Sequence, residues 1–191
     1  MQAFDSLSRD IQQYIYDKGW PSLTNIQSAA IKQVANTDHN LILSAPTASG
    51  KTEAAFIPAL NSIEDWETGL KVLYVSPLKA LINDQFQRIS ELSEYLDIPI
   101  TRWHGEVSQT QKRKVVNQPK GILLITPESI EGMLVNRPGE AEHLFKGVEW
   151  IIIDELHSFL GTERGIHLQS LLQRISRFMQ APRFIAMSAT L

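Results

Sequence analysis

Apolar residues along this chain fall into two textures. Phe4, Leu7, Ile11, Tyr14 and Ile15 recur at the three-to-four spacing of one helix face, which predicts a helix over residues 4–18. Gly19-Trp20-Pro21 breaks it. Thr24, whose side-chain oxygen can accept from a first-turn N–H, then predicts the N-cap of a second helix running to about Val34. From residue 40 onward, short unbroken apolar runs alternate with longer amphipathic stretches. The runs are Leu41–Ser44, Val72–Ser76, Ile100–Trp103, Ile122–Thr126, Val148–Asp154 and Phe184–Ser188. Helical patterning fills roughly 51–63, 79–95, 108–116, 128–135 and 166–180. A strand that is apolar throughout has no face for water, so the pattern predicts an α/β fold: a mostly parallel sheet with helices on both faces. No repeat or low-complexity tract divides residues 1–191. Ligands of such sheets bind at the carboxyl ends of the strands, and the chemically unusual residues follow the apolar runs directly.

The first of these is Ala45-Pro46-Thr47-Ala48-Ser49-Gly50-Lys51-Thr52, set between the run Leu41–Ser44 and a helix. Small residues let backbone N–H groups close around phosphate oxygens, and the helix N-terminus adds positive potential. Lys51 would reach the β- and γ-phosphates, and the Thr52 hydroxyl would ligate Mg2+. Ala45 stands where the strict pattern has Gly; read alone, the segment is also compatible with a plain strand-to-helix turn. The second is the run Val148–Ile153, which delivers Asp154-Glu155-Leu156-His157. Two acids at the tip of a buried strand are costly unless they meet a cation or water. Asp154 fits the carboxylate that holds magnesium, and Glu155 the base that orients an attacking water. By itself the pair could simply cap the next helix. Each motif arises by chance in about one chain in a hundred of this length, and both in this order in about one in ten thousand, so a nucleotide site is the expected reading.

Composition bounds the partners. No apolar run reaches the ~18–20 residues a membrane span needs, and the first residues lack the pattern of a secretory signal. There is no cysteine, which removes disulfides and cysteine-bound zinc and suits a reducing compartment such as the cytoplasm. The net charge of −3 gives no general attraction to nucleic acid, so any such contact must be a local strip.

Taken together, these segments resemble the first RecA-like lobe of superfamily 2 helicases of the DExH type, over almost the whole chain and in order. The resemblance implies a RecA-like P-loop NTPase domain at 1–191, with residues 1–36 as an N-terminal helical region, and ATP with Mg2+ as cofactors. Thr24-Asn25-Ile26-Gln27 is similar to the Q motif, in which Gln27 would contact adenine; Leu23 replaces the usual proline there, and Phe4 or Trp20 is a candidate for packing on the base. Gln27, the loop Ala45 to Thr52, Asp154, Glu155 and His157 would then surround the nucleotide. Ser76-Pro77-Leu78-Lys79-Ala80-Leu81 resembles motif Ia and Thr126-Pro127-Glu128-Ser129 motif Ib, which implies nucleic-acid contacts at Pro77, Lys79, Thr126 and Pro127. Ser188-Ala189-Thr190 resembles motif III, which couples nucleotide state to the nucleic-acid side. The stretch Gly161-Thr162-Glu163-Arg164-Gly165-Ile166-His167-Leu168, with Trp103-His104-Gly105-Glu106, resembles Lhr-type (long helicase-related) enzymes and adds Arg164 as a contact. Lys112, Arg113 and Lys114 read as a solvated helix face. The implied activity is ATP-driven movement on single-stranded DNA, with RNA as the alternative, and with a second RecA-like lobe, absent from this chain, as partner. A P-loop small-molecule kinase and a nucleotide-dependent scaffold are the readings of other classes.

Overall fold

The computed structural model describes residues 2–46 and 48–190. Six strands form one sheet: β1 (Leu41–Ser44), β2 (Gly69–Val75), β3 (Ile100–Trp103), β4 (Lys120–Ile125), β5 (Trp150–Ile153) and β6 (Arg183–Ser188). All neighbours are parallel and the order is β1-β6-β5-β2-β4-β3. The helices are α1 (Arg9–Asp17), α2 (Asn25–Asn36), α3 (Lys51–Ser62), α4 (Lys79–Tyr95), α5 (Gln109–Asn117), α6 (Pro127–Asn136), α7 (Pro138–Phe145) and α8 (Glu163–Ile175). The parallel sheet expected from the apolar runs is present.

Alternate side chains of each strand enter opposite cores. Val72, Tyr74, Ile122, Leu124, Ile152 and Ile185 pack with Ile11, Ile31, Phe56 and Ile82 from α1 to α4. Leu73, Val75, Leu123, Ile125 and Ile151 pack on the other face with Ile130, Phe145 and Leu171 from α6, α7 and α8. Burial on both faces is why the runs show no polar alternation.

Three expectations need adjustment. Residues 4–18 are not one helix: Leu7 is extended after a short 3-10 turn, and the Ser8 hydroxyl accepts from Ile11 N to start α1 at Arg9. Helix α7 lies in a stretch to which no element was assigned, between the helix expected at 128–135 and the run Val148–Asp154; Pro138 stands at its first helical position, which suits a helix start. The last helix begins at Glu163 under a Thr162 cap and closes in a 3-10 turn at Ser176–Phe178.

Candidate nucleotide and nucleic-acid site

The segment after β1 is built to expose backbone. Ala45 N donates to Ser188 O of β6 at 3.3 Å, fixing where the loop leaves the sheet. Ala48 (φ 60°) and Gly50 (φ 82°) are left-handed; a Cβ at Gly50 would meet only the movable end of the Gln27 side chain, at 2.6 Å from Nε2, so it is the positive φ that favours glycine there. Lys51 opens α3, and its ammonium donates to the carbonyls of Ala45 and Pro46, the latter at 2.7 Å. Thr52 is buried, and its hydroxyl donates to Gln85 Oε1 of α4 at 3.1 Å. With its proton engaged by Gln85, the oxygen keeps its lone pairs for a cation. Thr47 lies outside the described residues.

Gln27 belongs to a capping box with Thr24: its Oε1 accepts from Thr24 N at 2.9 Å while Thr24 Oγ1 accepts from Gln27 N. Its Nε2 reaches Gly50 O at 3.5 Å. The amide therefore ties α2 to the phosphate loop, and one Oε1 lone pair and one N–H remain for a base edge. Phe4 and Trp20 line a separate cleft of about 540 Å3 with Tyr16, Ser28 and Lys32.

At the tip of β5, Asp154 N donates to Val75 O at 2.9 Å. The Asp154 carboxylate is buried; Oδ2 accepts from the Tyr74 hydroxyl and Oδ1 from Glu155 N at 2.9 Å. Burial, and then the Asp154 charge, hold the Tyr74 phenol well above its ordinary range, so it stays a donor. Glu155 sits at φ 49°, ψ 44°, an uncommon conformation for a side chain of its size. Its Oε2 is 3.2 Å from His157 Nε2, and His157 Nδ1 is 3.3 Å from Ser188 Oγ. Ser188 Oγ also donates to Thr190 O. Thr52, Lys51, Gln85, Arg88, Asp154 and Glu155 line one cavity of about 140 Å3 at the carboxyl ends of β1 and β5.

Farther along that edge, Thr126 caps α6 through Ser129 N, with Pro127 at the first helical position. Lys79 pairs with Glu106, both largely exposed. Arg164, expected to contact nucleic acid, is half-exposed and its guanidinium donates to Pro77 O at 2.8 Å and to Glu128 Oε1 at 2.7 Å. His167 and Arg174 both meet Glu131. Helix α8 thus braces α6 and the turn after β2. His104 is buried, which lowers its imidazole below the usual value. Lys112 is also buried, 5.8 Å from the centroid of Trp103, which corrects the reading of 112–114 as a wholly solvated face.

Gln85, Tyr74, Glu128 and Glu131 were not singled out from sequence. Only Tyr74 left a signal, as the one aromatic hydroxyl inside the run Val72–Ser76.

A parallel sheet with a left-handed turn between β1 and α3 and two adjacent acids after β5 is the layout of P-loop nucleotide-binding domains. A profile of the DEAD/DEAH box helicases matches residues 24–191, and the chain belongs to that family. The ATP-dependent helicase Lhr-Core of Methanocaldococcus jannaschii is 29% identical over 100% of this chain and 24% of its own length. The structure of Mycobacterium smegmatis helicase Lhr bound to ssDNA and AMP-PNP superposes with a TM-score of 0.87 at 28% identity, covering 100% of this chain and 26% of that one. DUF1998 helicase MrfA bound to DNA and AMPPNP gives 0.85 at 30% identity, over 98% of this chain and 27% of that one. The chain therefore spans about a quarter of the length of these relatives. Among the described residues, no helix is long and apolar enough to cross a membrane.

Proposed function

We propose that this chain is the ATP-binding lobe of a nucleic-acid motor, coupling ATP hydrolysis to movement along single-stranded DNA. The observation that carries this reading is the run of contacts from Glu155 through His157 to Ser188 and Thr190. It links the carboxylate that in this reading orients water with the segment after β6, so a change at the γ-phosphate would be felt beyond the nucleotide. A scaffold or a small-molecule kinase has no need of such a link.

The donor set fits Mg2+. One hydroxyl, Thr52, and one carboxylate, Asp154, share the cavity with Lys51, and magnesium takes hard oxygen ligands from few side chains, completing its shell with phosphate and water. Bound there, it would neutralise charge on the phosphates. Lys51 would leave the Ala45 and Pro46 carbonyls to meet them, and Glu155 would accept the proton of the attacking water. Gln27 would meet adenine with its remaining donor and acceptor. Pro77, Lys79, Thr126 and Pro127 would touch the strand, with Arg164 acting through its hold on Pro77 and Glu128. A second RecA-like lobe of the same polypeptide would supply an arginine worth about 10³–10⁵ in turnover. The cytoplasm is the compartment that goes with this reading.

ATPase assays on the full-length protein with single-stranded DNA, single-stranded RNA or neither test it. DNA should stimulate most. Stimulation by RNA alone would move the substrate to RNA, and turnover indifferent to either would overturn the motor reading.

A further inference from the structure

Strand β3 is one of the two edge strands of the sheet, and a groove of about 470 Å3 runs along it, closed by Phe86 of α4 and by α5. Its walls carry three cations, Arg102, Lys114 and Lys120, with Gln111 and Gln118 between them, and no carboxylate. In a chain of net charge −3, that is a local concentration of positive potential. The guanidinium of Arg102 is held in place, stacked 4.6 Å from the Phe86 centroid and donating to Asn83 Oδ1 at 2.8 Å. Most of its five N–H donors remain, in a fixed plane suited to phosphate. Lys120 shares an exposed pair with Glu67, which costs little to exchange for another anion. Among the described residues Lys114 makes no ion pair. One end of the groove is Val107, next to Glu106 and hence to Lys79; the other is Pro99 and Lys120, at the amino ends of β3 and β4. The four-residue edge is about 13 Å long, enough for at least two phosphates.

We propose that this groove is a second nucleic-acid contact, which takes the phosphate backbone of a single strand from the carboxyl edge at Lys79 down the side of the sheet along β3. It rests on the reading that nucleic acid lies across that edge. The contact is independent of base sequence, because its charged groups address phosphate and its glutamines can serve sugar or any base. An acidic peptide pairing along the β3 edge is the rival occupant. Continuity with Lys79 and the open length of the groove favour the nucleic acid.

Anisotropy of a labelled oligothymidylate at low ionic strength, titrated with the 191-residue chain, tests the assignment. The variant Lys114→Glu/Lys120→Glu is compared with Arg177→Glu/Lys146→Glu, an equal charge change at exposed positions elsewhere. The groove variant should bind at least ~10-fold more weakly than this control, and the slope of log affinity against log salt should fall by about 1.4, two contacts at ~0.7 each. Affinity for a fluorescent ATP analogue should be the same in both, which shows that both fold. The chain has no cysteine, so Gln118→Cys gives a single site, and an oligonucleotide carrying a pyridyl disulfide should exchange with it, forming a mixed disulfide and releasing pyridinethione. Equal DNA binding by groove and control variants, while Lys79→Glu weakens it, would overturn the groove and leave the carboxyl-edge reading standing. No DNA binding by the unmodified chain would overturn both. Loss of polyglutamate binding with DNA binding intact would hand the groove to an acidic protein partner and equally refute the assignment.

Discussion

Gly165 sits in the first turn of α8 with an ordinary helical backbone, so a side chain there meets no conformational objection. Replacing a helical glycine by alanine normally stabilises by about 0.5–1 kcal/mol. Here the sign should reverse. An alanine Cβ would fall 2.0 Å from the carbonyl oxygen of Phe159 and 2.9 Å from its carbon, and neither atom is the end of a flexible side chain. Reaching even 3.0 Å, a separation below which real Cβ contacts essentially do not occur, requires backbone to move by about 1 Å. A backbone shift of that size puts the overpacking at the upper end of the usual range, about 3 kcal/mol, which leaves a net loss of about 2 kcal/mol after the helical gain. For a domain of this size that lowers Tm by about 4–8 °C. The displacement also acts on Arg164, one residue earlier, which joins Pro77 O to Glu128. Gly165→Ala should therefore lower Tm in calorimetry and also weaken binding of single-stranded DNA beyond what partial unfolding explains. A variant melting at or above the parent temperature would refute the close approach and, with it, the account of why glycine stands in this turn.

Lys51→Ala should remove most affinity for a fluorescent ATP analogue while leaving Tm within about 1 °C, since the ammonium contacts only loop carbonyls; retained affinity in the folded variant would sink the phosphate-loop assignment. Glu155→Gln should keep nucleotide binding and lower hydrolysis in the full-length protein by about 10²-fold or more, as read by phosphate release. Tyr74→Phe removes a fully buried donor from the Asp154 carboxylate, so it should cost about 1.5–3 kcal/mol in denaturant unfolding and weaken magnesium-dependent nucleotide binding more than magnesium-free binding. An unchanged ratio of the two would remove Tyr74 from the site.

The sheet and most of the helices were legible because burial leaves a periodic record. The elements Ile100–Trp103 and Lys79–Tyr95 occupy the predicted residues, and the segments after β1 and β5 could be singled out because each motif is contiguous. Punctuation was harder. Leu7 continues the apolar period of α1, yet it is extended, because Ser8 takes the first-turn N–H and ends the regular spacing one turn early. Pro138-Gly139 carries the composition of a loop and the geometry of a helix start. Local sequence holds both meanings, and the packing of Ala141, Leu144 and Phe145 into the core beneath chooses between them.

The partners of the site residues were illegible for a different reason, shown by Tyr74. It lies 80 residues before Asp154, and nothing near either residue points to the other. Their meeting follows from the register alone. Strands β2 and β5 are adjacent and parallel with Tyr74 opposite Ile152. Side chains two apart on a strand share a face, so Asp154, two residues beyond Ile152, leaves the sheet on the face that holds the Tyr74 ring. The phenol thus ends beside the carboxylate. Placing β5 next to β2 in turn depends on the whole order β1-β6-β5-β2-β4-β3, which joins strands that have β3 and β4 between them in sequence. The same dependence governs Gln85 on Thr52 and Arg164 on Pro77: each is a single side chain crossing between elements whose adjacency is set by the sheet. Chemistry that needs a run of neighbouring residues is written in the sequence, and the groups that hold it in place become visible only once the strands are in order.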